Sequence, residues 1–327
     1  MTVRWGVTLP LPGLGLAAHR PLLVELTDLG YTDVWTGEGG GHDGFTPLAA
    51  AAAWAPGLRV GTGIVPVQTR GPGVLAQTAA TLAQLGGEVV LGIGSSVPAH
   101  VTALNGMAHD RPYARVRDTL KFLRRALDGE YVSESYETFE VDGFQLREPL
   151  PHRPKVIVGA LRPGMLRLAF REGDGAMTNV LAADDVPAVV EAAGPRAPGQ
   201  ELVVKVFVSP TTDASYARTE ARAFLSWILN QPPYVAFHDW LGRGDRLKAS
   251  RERWEAGDRA GAARALSDEV VDELWVHGSL EECRERIARH VHPGVTTVLL
   301  HLSPTPELLA SPDPVSVVSD TLKALRF

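Results

Sequence analysis

The chain has 327 residues, of which 45% are hydrophobic, and its formal net charge is −6 at pH 7. This acidic balance, without any run of Lys or Arg, argues against binding to nucleic acid or to an anionic membrane surface. No apolar stretch is long enough to cross a membrane, and the opening sequence MTVRWGVTLP lacks the pattern of a signal peptide. We therefore expect a soluble cytoplasmic protein.

The residue types that bind metals or form disulfides are sparsely placed. Cys283 is the only cysteine, so no intramolecular disulfide can form. It shares a helical spacing with Leu280, Ile287 and Val291, which favours a packed thiol over a nucleophile. The ten histidines include no HExxH pair and no other tight ligand spacing, so the sequence predicts no metal site.

Apolar strands alternate with helices from the start of the chain. Val3–Leu9 and Asp33–Gly37 are predicted as strands 1 and 2, and Gly30 ends the helix between them because glycine accepts a left-handed backbone. A glycine-rich loop follows strand 2. We then expect Thr46 to cap a helix that has Pro47 at its first position.

The stretch from residue 58 to 96 contains a complete strand–helix–strand unit. Its two strands, Leu58–Val65 and Glu88–Ser95, are uninterrupted apolar runs, as expected when both faces of a parallel sheet are covered. The helix between them, Val74–Leu85, carries apolar residues on one side at helical spacing.

The same rhythm continues to the end of the chain, with two interruptions. Gly129–Pro151 is predicted to contain a hairpin near the barrel mouth, and Ala214–Ala265 is predicted to be mostly helical with a break at 230–234. The other predicted strands are Lys155–Ala160, Ala176–Val180, Leu202–Ser209 and Thr296–Leu302; the other predicted helices are Pro112–Leu127, Pro163–Arg171, Asp184–Ala193, Leu280–His290 and Pro314–Leu325.

Eight buried strands that alternate with helices predict an α/β fold, a (β/α)8 barrel. We expect one domain over residues 1–327, with insertions at about 129–151 and 214–265. A doubly wound open sheet is the alternative. In such barrels the chemistry lies at the carboxyl ends of the strands, so the residues that follow each strand are the functional candidates.

Three strand ends carry patterns with chemical meaning, and each also has a plain structural explanation. The two glycines of GTGIVP, at the end of strand 3, indicate either a bulge that another molecule approaches closely or a tight bend of the barrel. The turn VGALRPGM, with small Gly159 and Ala160 and the charge of Arg162, indicates either an anion site at a helix N-terminus or an ordinary turn. Glu38, His42 and Asp43 follow strand 2, where they can supply acid–base groups or form a solvated loop.

Together these motifs resemble the bacterial luciferase-like monooxygenase superfamily, particularly its deazaflavin (coenzyme F420)-dependent oxidoreductases. The resemblance covers nearly the whole chain, in order, and only residues 214–265 have little to match. The matching segments are GEGGGHDGFTPLAA, GTGIVPVQTRGPGVLAQTAATLAQLGG with VVLGIGSS, DRPYARVRDTLKFLRRALDGEYVSESYETFEVDGFQL, VGALRPGMLRLAFREGDGAMTNVL and GSLEECRERIARHVHPGVTTVLLHL.

The resemblance implies a TIM barrel that binds F420, or alternatively FMN, in its mouth. It implies a non-prolyl cis peptide at Gly63–Ile64, in a bulge that props the back of the cofactor ring. It implies a proton donor among Glu38, His42 and Asp43, without choosing between them. The cofactor-binding positions that it implies are Gly63, Ile64 and Val65 at the bulge, Ser95 and Ser96 along the ring and ribityl chain, Gly159, Ala160, Leu161 and Arg162 at the phosphate, and Thr178 and Asn179 near the tail.

Three functions stay open at this point. The first is an F420-dependent oxidoreductase that transfers a hydride between the deazaflavin and a small or medium organic substrate. The second is an FMN-dependent monooxygenase, and the third is a non-catalytic flavin-binding protein. The segments GTGIVPVQTR and DRPYARVRD, and an Ala/Arg/Gly-rich composition typical of high-GC actinobacterial chains, favour the first.

The resemblance also implies partners. We expect an F420 or flavin reductase that supplies reduced cofactor, and a homodimer, since relatives are frequently dimers. Aromatic residues of the long segment are candidates for a lid over the pocket, although such residues more often serve packing than recognition: Trp227, Tyr234, Phe237 and Trp240.

Overall fold

A computed structural model of the chain describes residues 3–327. Its strands are β1 (Arg4–Thr8), β2 (Asp33–Thr36), β3 (Arg59–Thr62), β4 (Val65–Pro66), β5 (Val89–Gly94), β6 (Val132–Ser135), β7 (Glu140–Phe144), β8 (Lys155–Gly159), β9 (Gly175–Thr178), β10 (Glu201–Ser209), β11 (Val276–His277) and β12 (Thr297–Leu302).

Eight of these strands form a closed parallel barrel. They pair in the order β12, β1, β2, β3, β5, β8, β9, β10, and β10 pairs with β12 to close the ring. The predicted (β/α)8 barrel is therefore confirmed, and the open-sheet alternative is wrong. The short β4 continues β3 after a break and pairs with β5, while β11 adds a two-residue edge to β10.

Helices surround the barrel and account for most of the remaining chain. They are α1 (His19–Leu26), α2 (Thr46–Trp54), α3 (Pro72–Ala83), α4 (Pro112–Leu127), α5 (Pro163–Glu172), α6 (Val186–Ala193), α7 (Ala214–Ile228), α8 (Pro232–Trp240), α9 (Gly244–Glu255), α10 (Arg259–Arg264), α11 (Asp268–Leu274), α12 (Leu280–Ala288), α13 (Pro306–Ala310) and α14 (Pro314–Ala324). None of the helices described here is long and apolar enough to cross a membrane.

The predicted N-cap of α2 is wrong. Phe45, not Thr46, occupies the N-cap position, and no side chain there bonds to the helix. Instead, the Asp43 carboxylate accepts hydrogen bonds from the backbone N–H groups of Phe45 and Thr46, at 2.8 and 2.9 Å. A carboxylate near the first turn also interacts favourably with the helix dipole.

The barrel interior is layered along its axis. At the amino ends of the strands, the buried Arg59 guanidinium pairs with Asp33 and, at 2.7 Å, with Glu201. Lys155 approaches the same Glu201 carboxylate. The middle layer is apolar and consists of Trp35, Val90, Ile157, Met177, Val203 and Leu299.

The insertion after α4 forms a hairpin, as predicted, and its residues are not part of the cavity wall. Strands β6 and β7 are antiparallel, and the rings of Phe139 and Phe144 lie 6.4 and 5.1 Å from that of Phe122 on α4. Asp118 of α4 also accepts hydrogen bonds from the N–H and hydroxyl groups of Thr138. The tip of the hairpin lies beside the start of α4, because the Glu137 carbonyl accepts a hydrogen bond from Arg111 at 3.0 Å. Arg111 directly precedes Pro112 and Tyr113, which line the cavity, so the hairpin packs near the mouth without forming its wall.

Candidate active site

A cavity of about 1120 Å³ opens at the carboxyl ends of the strands, and all eight barrel strands or the residues that follow them contribute to its wall. One half of the wall consists largely of glycine, from β3, β5 and β8. The other half carries the polar side chains of Thr8, Lys205 and His301, together with the apolar Met177 and Phe207. This asymmetry leaves open space on one side of the mouth and hydrogen-bonding groups on the other.

A β-bulge separates β3 from β4 and projects Ile64 into the mouth. Gly61 pairs with Val90, and Val65 pairs with Ile93. The chain therefore advances four residues between these two pairings, whereas β5 advances only three. One extra residue in a strand is the definition of a bulge. The sequence-based interpretation of GTGIVP as a bulge is therefore confirmed.

The Ile64 side chain lies against two glycines on neighbouring strands. A Cβ atom at Gly94 would lie 2.9 Å from Ile64 Cδ1, and one at Gly159 would lie 3.1 Å from Ile64 Cγ2. These distances are shorter than ordinary carbon contacts. Glycine at both positions keeps this side of the mouth flat, and a planar ring can pack against Ile64.

The expected cis peptide at Gly63–Ile64 is wrong. Within residues 3–327 the cis bond is Leu9–Pro10, and the Gly63–Ile64 bond is trans. The bulge is held instead by two backbone hydrogen bonds to the β2 end: Gly63 N–H donates to the Thr36 carbonyl, and Glu38 N–H donates to the Ile64 carbonyl at 3.3 Å. The extra residue is thus accommodated with trans geometry.

The three acid–base candidates after β2 line the cavity but differ in their surroundings. Glu38 accepts hydrogen bonds from Arg70 Nε and from the Gly44 N–H, both at 3.0 Å. Asp43 caps α2. His42 is exposed and has no hydrogen-bond partner among the residues described. Glu38 and Asp43 therefore hold the loop in shape, whereas the His42 side chain makes no such contact with the residues described.

The pKa of Asp43 is lowered from its ordinary value. Burial raises this pKa, but hydrogen bonds from Thr46 and Phe45 and the nearby charge of Arg70 together outweigh burial. Each of these contacts favours the ionised carboxylate. Asp43 is consequently a poor proton donor near neutral pH.

Ser95 and Ser96 lie on the cavity wall after β5, beside two histidines that sequence reasoning missed. The Ser95 carbonyl lies 3.1 Å from His109 Nε2, and Ser96 Oγ lies 3.5 Å from His100 Nδ1. Burial lowers the pKa of His100. Both histidines lie in the segment between β5 and α4, for which the sequence motifs gave no acid–base candidate.

The turn between β8 and α5 has the features of an anion site. Gly159, Ala160, Leu161 and Arg162 all line the cavity. No side chain caps α5, so the N–H groups of its first turn, including that of Gly164, point outward without an intrahelical acceptor. Arg162 is exposed and has no ion-pair partner in residues 3–327. A phosphate fits these donors and this charge.

Two of the predicted cofactor contacts lie outside the cavity. Thr178 is fully buried, but on β9 it is the neighbours Met177 and Asn179 that face the mouth, because side chains alternate along a strand. Val65 is also fully buried, and one of its methyl groups packs over Gly44. The expected placement of Thr178 and Val65 on the cavity wall is corrected accordingly.

Lys205 and His301 form part of the polar wall and were missed. Both line the cavity, from the neighbouring strands β10 and β12. Burial lowers the pKa of Lys205 to about 8, and burial together with the charge of Lys205 lowers that of His301 well below its ordinary value. The signal was present in the sequence, since Lys205 interrupts the otherwise apolar run LVVKVFVS.

Helices α7 and α8 supply aromatic residues to the cavity wall. Trp227 and Tyr234 line the cavity, as do Phe224 and Trp240. The Trp227 ring lies 5.0 Å from that of His100, and the Asn179 amide donates to the Tyr234 hydroxyl at 2.9 Å. Phe237 is different, because it is fully buried and takes no part in the wall.

The chain belongs to the luciferase-like monooxygenase family, whose profile matches residues 6–297. Among curated proteins it is 27% identical, over 286 residues, to the 5,10-methylenetetrahydromethanopterin reductase of Archaeoglobus fulgidus. That match covers 83% of this chain and 85% of the reductase. The protein is thus an enzyme of the luciferase-like family, as the sequence motifs predicted.

Two solved structures share the fold over their full length. One is the coenzyme F420-dependent tetrahydromethanopterin reductase of Methanopyrus kandleri, with a TM-score of 0.77, 18% identity, and coverage of 100% of this chain and 98% of that chain. The other is an F420-dependent secondary alcohol dehydrogenase in complex with an F420–acetone adduct, with a TM-score of 0.74, 17% identity and full coverage of both chains.

Proposed function

We propose that this protein is an F420-dependent oxidoreductase that transfers a hydride between the deazaflavin and a small or medium organic substrate. The observation that carries the proposal is the shape of the mouth, in which a flat surface of Ile64 and glycine lies next to the anion-binding turn before α5. A planar ring with a phosphate-bearing tail matches both features. The relatives named above for F420 support the choice of cofactor.

Each part of the mouth holds a different part of such a cofactor. The turn Gly159–Arg162 and the N–H groups at the start of α5 would bind the phosphate. Ile64 would support the ring, and Ser95 and Ser96 would contact the ring and its ribityl chain. When bound, the deazaflavin supplies or accepts the hydride at one ring carbon, and the protein supplies position and a path for the proton.

The aromatic residues of α7 and α8 limit the access of water to the mouth. Trp227 and Tyr234 stand beside the cavity, and Tyr234 is anchored to Asn179 by a hydrogen bond. A dry mouth strengthens the electrostatic interactions within it. This enclosure favours hydride transfer between the cofactor and an organic molecule over side reactions with water.

The proposal is tested by an anaerobic assay that follows the absorbance of oxidised deazaflavin after secondary alcohols are added. Bleaching of that absorbance, dependent on both enzyme and alcohol, supports hydride transfer. Each enone or imine of a second panel is offered with reduced deazaflavin, whose reoxidation is then followed. Failure of every alcohol, enone and imine would contradict the proposed reaction.

A second candidate, an FMN-dependent monooxygenase, is favoured by the family to which the chain belongs. It would take reduced flavin from a partner reductase, just as the F420 enzyme would depend on an F420 reductase. Oxygen uptake with reduced FMN, coupled to oxygenation of an organic substrate, would replace the first proposal with this one.

A further inference from the structure

The wall formed by β10 and β12 faces the surface on which the cofactor ring rests. Around the closed barrel, β10 is the fourth strand from β3 in either direction, by way of β5, β8 and β9 or by way of β2, β1 and β12. The bulge at Ile64 and the β10 wall are therefore on opposite sides of the mouth. A ring supported by Ile64 on one face presents its other face to β10.

Lys205 lies on this facing wall, in the layer above Val203. Its ammonium group lies 4.9 Å from the centre of the Phe207 ring, one inward position further along β10. The residues described provide Lys205 with neither an ion pair nor a hydrogen bond. By contrast, Lys155, at the amino end of β8, pairs with the Glu201 carboxylate.

The groups that surround Lys205 do not neutralise its charge. On β12 the neighbouring titratable group is His301. On α8 the titratable group of the cavity wall is Tyr234, whose hydroxyl accepts a hydrogen bond from Asn179. The α7 side chains that line the cavity are apolar or aromatic. The acidic side chains of the mouth lie across it, after β2, where Arg70 holds Glu38.

A desolvated ammonium without a counter-charge is costly, and such groups are concentrated at functional sites. A structural ion pair is the usual alternative explanation, and residues 3–327 provide Lys205 with no such pair. Burial lowers the pKa of Lys205 to about 8, which is the range in which a side chain gives and takes protons near neutral pH. His301 stays neutral under the same conditions, because burial and the charge of Lys205 lower its pKa.

We propose that Lys205 is a catalytic residue that hydrogen-bonds the reacting oxygen of the substrate and donates its proton to that oxygen, so that the substrates are aldehydes or ketones and the corresponding alcohols. This inference rests on the proposed function, which supplies reduced deazaflavin as the hydride donor. As the hydride reaches the carbonyl carbon, the C–O π bond breaks and its electron pair moves to oxygen. The oxygen takes a proton from Lys205 Nζ, and the neutral amine recovers a proton from water.

The proposal fixes the sign of the pH dependence. Carbonyl reduction needs protonated Lys205, so its rate falls as pH rises through about 8. Alcohol oxidation needs the neutral amine, so its rate rises over the same range. In Lys205→Met both dependences disappear, and the rate of the chemical step falls by about 10²-fold or more, as expected for a lost proton donor. Lys205→Arg keeps the charge but does not restore the pH dependence, because arginine does not release its proton.

A direct titration tests Lys205 without any turnover. The chain has five lysines, so reductive methylation with 13C-formaldehyde gives few signals, and the Lys205 signal is the one missing from Lys205→Met. We expect this signal to titrate near pH 8. We also expect isobutyramide, an unreactive carbonyl compound, to shift it in the presence of oxidised deazaflavin. Lys121→Met, at an exposed site on α4, is the matched control and retains both results.

Three results would overturn the proposal. The first is titration of Lys205 in the ordinary range of lysine. The second is no effect of isobutyramide up to about 100 mM, which saturates even a millimolar site. The third is a response to isobutyrate but not to isobutyramide, which would make Lys205 a carboxylate subsite.

The affinity for oxidised deazaflavin, measured by fluorescence, separates this inference from the proposed function. If Lys205→Met binds deazaflavin within about twofold of the wild type, the variant is folded and its defect lies in the chemical step. If the wild type itself does not bind deazaflavin, the proposed function fails. If binding holds and the Lys205 results fail, only the inference fails.

Discussion

Single residues decide the shape of the mouth. Ile64 projects from the bulge, and it can lie flat across the barrel because Gly94 and Gly159 offer no side chain against it. On the opposite wall, Lys205 and His301 carry the polar groups. The two walls therefore differ in polarity because of a few residues, each near the carboxyl end of a strand.

A larger side chain at Gly159 tests whether the glycines beside Ile64 leave space for the cofactor ring. A Cβ atom at Gly159 would already lie 3.1 Å from Ile64 Cγ2, so Gly159→Val pushes Ile64 into the space proposed for the cofactor ring. We expect the affinity for oxidised deazaflavin to fall at least tenfold, about 1.4 kcal/mol, with the fold retained. Gly71→Ala is the control, since a Cβ there meets no atom within 4 Å. Unchanged binding by Gly159→Val would place the ring elsewhere.

At the scale of elements, the amino ends of four strands are joined by one buried ionic cluster. Arg59 of β3 pairs with Asp33 of β2 and Glu201 of β10, and Lys155 of β8 approaches Glu201. This cluster lies at the end of the barrel opposite the cavity. Its contribution is therefore to stability and not to chemistry.

Removal of the central cation should destabilise the barrel strongly. Arg59→Met leaves the buried Asp33 without its ion-pair partner and Glu201 with Lys155 alone, and such losses cost about 3–5 kcal/mol. Urea denaturation at pH 7 measures the change in the free energy of unfolding. Arg4→Met, which breaks the exposed pair with Glu88, is the control and should cost less than about 1 kcal/mol. A loss for Arg59→Met as small as that of the control would contradict a structural role for the cluster.

The buried ionic cluster also determines how the free energy of unfolding changes at acid pH. Burial raises the pKa of Glu201, but the charge and hydrogen bonds of Arg59 and Lys155 outweigh burial and lower it. A carboxylate with a lowered folded-state pKa adds stability that is complete above its unfolded-state pKa. This stability is lost as the pH falls through the folded-state value. The difference in unfolding free energy between wild type and Arg59→Met should therefore shrink below about pH 4, and a constant difference would contradict the assignment.

The position of α7 beside the mouth predicts how easily small solutes reach a bound cofactor. Trp227 lines the cavity and its ring lies 5.0 Å from that of His100, so Trp227→Ala opens the wall. We expect iodide to quench the fluorescence of bound deazaflavin at least twofold more strongly in this variant. Trp254→Ala, in α9 away from the cavity, should behave as the wild type. Equal quenching in both variants would show that α7 does not shield the cofactor.

For the whole molecule, the order of strands and helices follows from the sequence, but the inward face of a strand does not. The apolar runs at β3, β5 and β10 identify buried strands, and their alternation with helices identifies the barrel. Because helices cover both faces, these strands show no alternation of polar and apolar residues. The sequence therefore predicts Thr178 at the cavity, where the structure has its neighbour Met177, and it does not show that Lys205 of β10 faces inward.

Long-range packing accounts for the other differences. The sequence after α4 predicts a hairpin, but the attachment of Phe139 and Phe144 to α4 depends on partners that no local pattern identifies. The bulge at Ile64 was predictable from its glycines, whereas its trans geometry follows from contacts with β2. The family resemblance predicts that the site lies in the mouth of the barrel, but only the structure shows which side chains line it.

The central claim, that the mouth binds a deazaflavin for hydride transfer, is tested most directly by two parallel titrations of the purified protein. Oxidised deazaflavin and FMN are added separately, and cofactor fluorescence is followed in each case. The account predicts tight binding of the deazaflavin and weak or no binding of FMN. Preference for FMN would contradict the choice of cofactor, and binding of neither would contradict the assignment of the site.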